Sequence, residues 1–419
     1  MSSPRLEKLI RRSIAPLLGA SVFALTACSK PGFPIYPDGA REFAYVANSA
    51  SNTVTVLDLV YLRPDRTLSV GNDPVALAVN PQRDEVYVVN SQPGQSSGSV
   101  SVIDTNKNVV TATIPVQRNP SFIAVDKTGQ RAFVTNTGSN SVTVLDLATH
   151  QAIATVATGS KPDAAAISPD GRTLVVTNTG SGTITVFSAG IPPLTTKTTL
   201  VTPIGFGPPL TLRATFSGCP GATSPVILPD SSKTFVACSG SQQVMAIWLG
   251  AAPDSWFAKQ DSSFSNDHVL AVLDVGRNPT NVALKPDGGE IFVSNRDSDS
   301  VSEIATQTDE VESTYPIGNR PAHGLASVDG ALWVSNLGGD AVSLYSIDDG
   351  KLVPPVRTGV SPDALAFGND GNLLLAANTR SGDVAVIRTS GKLGPGLFTM
   401  LPAGGSPAAI VVKSMPAGR

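Results

Sequence analysis

A hydrophobic pair followed two residues later by a polar residue recurs eight times along the chain, each time ahead of a turn and an alternating strand. The first four copies are Tyr45-Val46-Ala47-Asn48, Tyr87-Val88-Val89-Asn90, Phe133-Val134-Thr135-Asn136 and Val175-Val176-Thr177-Asn178. The others are Phe235-Val236-Ala237-Cys238, Phe292-Val293-Ser294-Asn295, Trp333-Val334-Ser335-Asn336 and Leu375-Ala376-Ala377-Asn378. The marked polar residues are 42, 46, 42, 60, 57, 41 and 42 positions apart. Self-similarity at such a period means one supersecondary unit used repeatedly. The two long intervals then mark insertions, which the pattern places near residues 205–221 and 249–266.

The clearest unit runs from Pro120 to Ser160. Ser121 to Asp126 reads as a first strand, Lys127 to Gln130 as a turn, and Arg131 to Asn136 as a second strand. After Thr137 to Asn140 comes the strictly alternating Ser141 to Leu147, then Ala152 to Thr158, before the next Gly-x-x-Pro. Four antiparallel strands in about 42 residues is one propeller blade. A helical repeat of that size needs a 3.6-residue apolar period, which these runs lack. Residues 42–70 supply a second, third and fourth strand, while 407–412 supply a first strand with nothing after it. Pairing the two ends in one blade removes exposed strand edges. The expectation is an all-β, eight-bladed propeller of four-stranded antiparallel blades over residues 42–413, followed by a tail at 414–419. It becomes seven-bladed if the degenerate fifth unit, with Ala222 for Pro and Cys238 for Asn, is absorbed irregularly.

Composition agrees with turns and short strands: 419 residues hold 38 Gly and 33 Pro, and aromatics make up 5%. The net charge of −3 gives no global field to attract nucleic acid. The N-terminus reads as a targeting segment over residues 1–27. Arg5, Lys8, Arg11 and Arg12 precede a short apolar run, Ile14 to Leu25, too short to span a bilayer stably. Its end, Leu25-Thr26-Ala27-Cys28, resembles the lipobox of bacterial lipoprotein signal peptides. That resemblance implies acylation of Cys28, a membrane anchor, and a Pro-bearing tether over 28–41. Ser29 rather than Asp after Cys28 favours the outer membrane. The alternative is an ordinary secretory signal with an incidental cysteine.

The Phe133-to-Asn136 and Val175-to-Asn178 cores, with Ser168-Pro169-Asp170-Gly171 and Lys285-Pro286-Asp287-Gly288 at turns, resemble the YVTN family of β-propeller repeats. The resemblance covers nearly all of residues 42–413. That family includes surface-layer and periplasmic binding proteins, and related propellers include lactonases, so it implies no single activity.

The repeated Asn suits a strand end, where its side chain can bond its own turn. More specific chemistry falls where the repeat breaks, in the connections from each fourth strand to the next first strand. Asp73, Arg118, Lys161, Arg277 and Arg320 come just before the blade's Pro, and Asp163, Asn281, His323 and Asp363 just after it. Cations on one rim suit an anionic group, a carboxylate, phosphate or acidic glycan. His323 with Asp163 and Asp363 is the candidate acid–base set. The 205–221 insertion, with Gly205, Phe206, Gly207, Pro208 and Pro209, is expected on that same face as a lid, and the one holding Trp256 and Phe257 on the opposite face. Cys219 and Cys238 are expected to form a disulfide in an exported protein.

No metal-ligand spacing joins His150, His268 and His323, and the sequence holds no haem-attachment, nucleophile-elbow or P-loop motif. No cofactor is expected. The function expected is recognition: a lipid-anchored envelope propeller, exposed to periplasm or cell surface, that binds an anionic small molecule, a glycan or an envelope protein. The alternative is a hydrolase of the lactonase kind, with its site at the channel mouth.

Overall fold

A computed structural model describes residues 36–190, 209–250, 262–391 and 393–415. Cys28, the leader, most of the tether, the final residues, Gly205 to Pro208, and Trp256 with Phe257 lie outside them.

The described residues form eight four-stranded antiparallel sheets, and in each the first strand lies innermost. Blade 1 joins the chain ends: Arg41–Asn48, Thr53–Asp58 and Arg63–Ser69, with Pro407–Met415 as its inner strand. Blades 2 to 8 then begin at Pro74, Pro120, Pro162, Ala222, Pro279, Pro321 and Pro362. The fifth unit is therefore a full blade, and the number is eight.

Burial follows each strand's place in the blade. The second strand Arg131–Asn136 is buried throughout, because both its faces meet neighbouring blades. The fourth strand Glu310–Pro316 alternates between exposed and half-buried, as an outer strand should. The apolar core is divided into clusters shared by adjacent blades. Trp333 and Leu344 of blade 7, for example, pack with Leu374 and Ile387 of blade 8.

Closure is specific as well as apolar. Tyr45 opposes Val411 between the terminal strands. The buried Glu42 carboxylate accepts hydrogen bonds from Tyr36 Oη (2.6 Å), Ser414 Oγ (2.6 Å) and the Asn369 N–H of blade 8 (2.9 Å). On the other side, Lys413 Nζ donates to the carbonyls of Asn80 (2.8 Å) and Arg83 (2.9 Å) in blade 2. The N-terminal strand is thus tied to blade 8 and the C-terminal strand to blade 2.

The structure corrects the first insertion. Thr211–Ser217 is the fourth strand of blade 4, paired with Thr183–Ser188. The extra chain therefore follows the third strand and leaves from the face opposite the fourth-to-first connections, not from the charged face. The roots of both insertions are tied together there, because Arg213 pairs with Asp267 and also bonds Thr173 Oγ1 at 2.8 Å. The residues expected as a lid, Gly205 to Pro208, lie outside the described residues.

Candidate functional site at the channel mouth

Each fourth-to-first connection lies beside the second-to-third turn of its own blade. The N–H of Gly138 donates to Arg118 O, and that of Leu337 to Arg320 O. The residue before the inner-strand proline is left-handed at Asp73, Asn119, Lys161, Asn278, Arg320, Ser361 and Ser406, with φ between 47° and 57°. Non-glycine residues visit this region only when neighbours fix them. The fixing group is an Asx side chain from the third-strand entrance: Asn52 Oδ1 accepts from Asp73 N, Asn140 Oδ1 from Lys161 N, and Asp299 Oδ1 from Arg320 N, each at 2.8 Å.

Just after the proline the inner strand bulges, with register shifts at Pro162/Ala164, Pro321/Gly324 and Pro362/Leu365. A bulged residue leaves the ladder and its side chain is re-aimed. Asp163, His323 and Asp363 occupy these bulges, and Asn281 follows the one in blade 6.

Together they form a polar arc over blades 4 to 8. Thr223 Oγ1 donates to Asp163 Oδ2 (2.6 Å), and Asn281 Nδ2 lies 3.4 Å from Ser224 Oγ. Asn281 Oδ1 accepts from the Gly324 N–H (2.9 Å), and His323 Nδ1 lies 2.8 Å from Asp363 Oδ1. The backbone of His323 is held at both ends by Ser335 Oγ. At the corresponding places blades 1 and 2 carry Ala408, Ala409, Val75 and Ala76. The mouth is therefore polar on one side and aliphatic on the other.

His323 and Asp363 meet, while Asp163 in blade 4 stands half a ring from blade 8 and bonds Thr223 instead. The expected acid–base set thus reduces to a pair. Burial would raise the Asp363 carboxyl, but the hydrogen bond and charge of His323, with the charge of Arg296, hold it below the usual carboxylate range. Arg296 is the residue that sequence reading missed. It follows Asn295 where six other blades have Ser49, Ser91, Thr137, Thr179, Ser239 and Thr379 and blade 7 has Leu337, and its Nε is buried without a hydrogen-bond partner. Thr280 Oγ1, in the neighbouring bulge, is likewise buried and unpartnered.

The expected cationic rim is less convergent than its charges suggest. The Arg118 guanidinium bonds Gly138 O (2.6 Å) and that of Arg277 bonds Asp297 O (2.7 Å), each on its own blade's turn. Lys161 and Arg320 hold the left-handed positions. Charge counted along the sequence carried no direction, and two of the four cations serve their own turns.

The repeated Asn is structural, but it bonds across the blade rather than within its turn. Asn48 Nδ2 reaches Thr55 Oγ1 (3.0 Å), Asn178 Nδ2 reaches Thr185 Oγ1 (2.9 Å) and Asn336 Nδ2 reaches Ser343 Oγ (2.8 Å), all on third strands. Among the described residues no group of three His, Cys, Asp or Glu is placed to hold a metal.

Comparison with known proteins agrees with this architecture. The family model of the lactonase seven-bladed β-propeller matches residues 60–209, which end before the fifth blade and exclude Arg296, His323 and Asp363. No curated protein matches the chain. Among solved structures, the dihydro-heme d1 dehydrogenase NirN is 16% identical, with a TM-score of 0.67 over 91% of this chain and 76% of its own. A 6-phosphogluconolactonase-like protein from Bacteroides uniformis is 15% identical, with a TM-score of 0.58 over 90% of this chain and 100% of its own. Hydrazine synthase from Kuenenia stuttgartiensis is 20% identical, with a TM-score of 0.53 over 83% and 92%. At these identities the likeness is one of fold. The chain is an eight-bladed β-propeller, similar through its first half to the lactonase propellers.

Proposed function

We propose that this protein is an exported, lipid-anchored propeller of the bacterial envelope that binds a small anionic or acidic-glycan ligand at the mouth of its channel. The observation that carries the reading is the unpartnered Arg296 Nε beside the His323–Asp363 pair. A buried donor without a partner costs free energy of roughly 1–3 kcal/mol, which an oxyanion accepting from it would recover. The aliphatic wall of blades 1 and 2 would hold the ligand's apolar side, in the way small-molecule sites combine a mostly apolar lining with few polar groups. The Cys219–Cys238 bond and the leader support export. Calorimetric titration with sugar acids and acidic glycans tests the reading, since saturable binding that weakens in Arg296→Ala is expected.

A hydrolase of the lactonase kind is the second reading, favoured by the family match and by the His–Asp pair. With Asp363 on Nδ1, His323 Nε2 would take a proton from water as the hydroxide adds to a lactone carbonyl. Arg296 would face the resulting oxyanion, and the same imidazolium would return its proton to the departing ring oxygen. Turnover of lactones that disappears in His323→Ala would select this reading.

A further inference from the structure

A cavity of about 340 Å³ opens between blades 7 and 8 on the face opposite the mouth. Ser327, Asp329, Phe367, Asp370, Gly371 and Thr389 are among its lining, and no Lys, Arg or His contributes to it. The repeat itself indicates what would fit.

At the interface of blades 3 and 4 the same place is occupied from within. Arg131, the first residue of its second strand, pairs with Asp126 at 3.2 Å and donates to the carbonyls of Ala189 and Gly171 in the next blade. Its guanidinium also lies over the Phe133 ring, 5.5 Å from the centroid. One other interface repeats the device. Lys233, which pairs with Trp248 as Arg131 does with Asp146, donates from Nζ to Thr306 O (2.9 Å) and pairs with Asp309.

In blade 7 the residue at the place of Arg131 is Ala331. Both pair with the last residue of the third strand, Arg131 with Asp146 and Ala331 with Ser346. The next blade's carbonyls are still present, Gly371 O accepting one hydrogen bond from Thr389 Oγ1 (2.6 Å). Thr173 pairs with Ser188 and Leu373 with Arg388, so Thr389 corresponds to Ala189 and Gly371 to Gly171. Trp333 stands where Phe133 does; Ser327 takes the place of Asp126, and the cavity's carboxylate on this blade is instead Asp329 of the same turn, which accepts from Ser327 Oγ. The cation of Arg131 and Lys233 is thus missing here, while the two carbonyls and the aromatic position are retained and the turn carboxylates Asp329 and Asp370 line the cavity.

We infer that this cavity binds an alkylguanidinium or alkylammonium group, carried by a small ligand. Its oxygens suit an N–H fork, its acidic lining suits positive charge, and its volume lies at the lower end of small-ligand sites. This site is independent of the channel mouth and would stand if the mouth bound nothing.

The test is calorimetric titration of the chain with butylguanidinium, with butanol as the uncharged control. The wild type is expected to saturate with butylguanidinium at low millimolar concentration or below, and not with butanol. Ala331→Arg supplies the guanidinium from within, so it should raise Tm and weaken binding at least tenfold. The inference is overturned if butylguanidinium gives no more than the butanol signal, or if folded Ala331→Arg binds as well as wild type. If Ala331→Arg does not fold, the double variant Asp329→Asn and Asp370→Asn decides. Binding weakened at least tenfold supports the site, and undiminished binding overturns it.

Discussion

Cys219 and Cys238 occupy the two positions that a glycine and the repeated asparagine hold in other blades. In six blades a glycine three residues before the inner-strand start lies directly on that asparagine, and blade 3 has Gln117 there. A Cβ built on Gly71 would come 2.7 Å from Asn90, one on Gly276 2.6 Å from Asn295 and one on Gly159 2.6 Å from Asn178. Two backbones held this close crowd a side chain there, and a bond between the two side chains relieves the crowding. In blade 5 they are: the disulfide joins Cα atoms 4.7 Å apart, and both cysteines are buried.

Restoring the repeat should therefore be tolerated. The double variant Cys219→Gly with Cys238→Asn is expected to fold and to lose about 3 kcal/mol relative to the oxidised wild type, the entropic worth of closing a loop of this length. Cys238→Asn alone retains a side chain at 219 against the new amide and should be less stable than the double variant. Urea midpoints with and without reductant distinguish the cases, because reductant should shift the wild type and leave the double variant unmoved.

The same contact gives a second expectation elsewhere. Gly276→Ala would bring its Cβ to 2.6 Å from Asn295 Cβ and 2.4 Å from Ser298 Oγ. Overpacking of this kind costs about 1–3 kcal/mol. Thermal unfolding should show the loss, and combining the change with Asn295→Gly should recover part of it.

Arg131 is nearly buried beside a buried Asp126, with side-chain exposures of 9% and 1%. Arg131→Ala leaves Asp126 Oδ2 and the carbonyls of Ala189 and Gly171 without the guanidinium and the buried carboxylate without its cation, and a loss of about 3–5 kcal/mol in chemical denaturation is expected. A loss below 1 kcal/mol would remove the clamp from the description of the 3–4 interface.

The His323–Asp363 pair carries a pH signature. Because the folded-state carboxyl of Asp363 lies below its unfolded value, its contribution is complete above about pH 4 and is lost as pH falls through the lowered value. The pair is partly exposed, so the contribution is about 1 kcal/mol. The stability difference between wild type and Asp363→Asn should shrink as pH falls through the lowered carboxyl value. A difference that grows on acidification would contradict the assignment.

The blade plan was legible because a propeller repeats its burial: Phe133-Val134-Thr135-Asn136 and Trp333-Val334-Ser335-Asn336 meet the same environment and so share a pattern. The closure through residues 407–412 followed from the unmatched half-units. The face of the first insertion was not legible. Gly205 to Pro209 drew attention to a connection, while Thr211–Ser217 mixes exposed and half-buried positions as an outer strand does and gives little apolar signal. The mouth was legible by position and not by direction. His323 and Asp363 stand out as departures, but only the fold makes them neighbours and turns Arg118 and Arg277 onto their own blades. Arg296 carried a usable signal, a cation at a Ser/Thr position of the repeat, on a turn that had not been counted as part of the mouth.

The most direct test of the channel mouth is calorimetric titration of gluconate, with a panel of acidic glycans, into wild type, Arg296→Ala and His323→Ala side by side. Saturable binding by wild type to at least one of these acids, weakened tenfold or more in Arg296→Ala, is the result expected from the unpartnered Arg296 Nε at the His323–Asp363 pair. Equal affinity in wild type and Arg296→Ala, or no saturation by any acid in the panel, would contradict it.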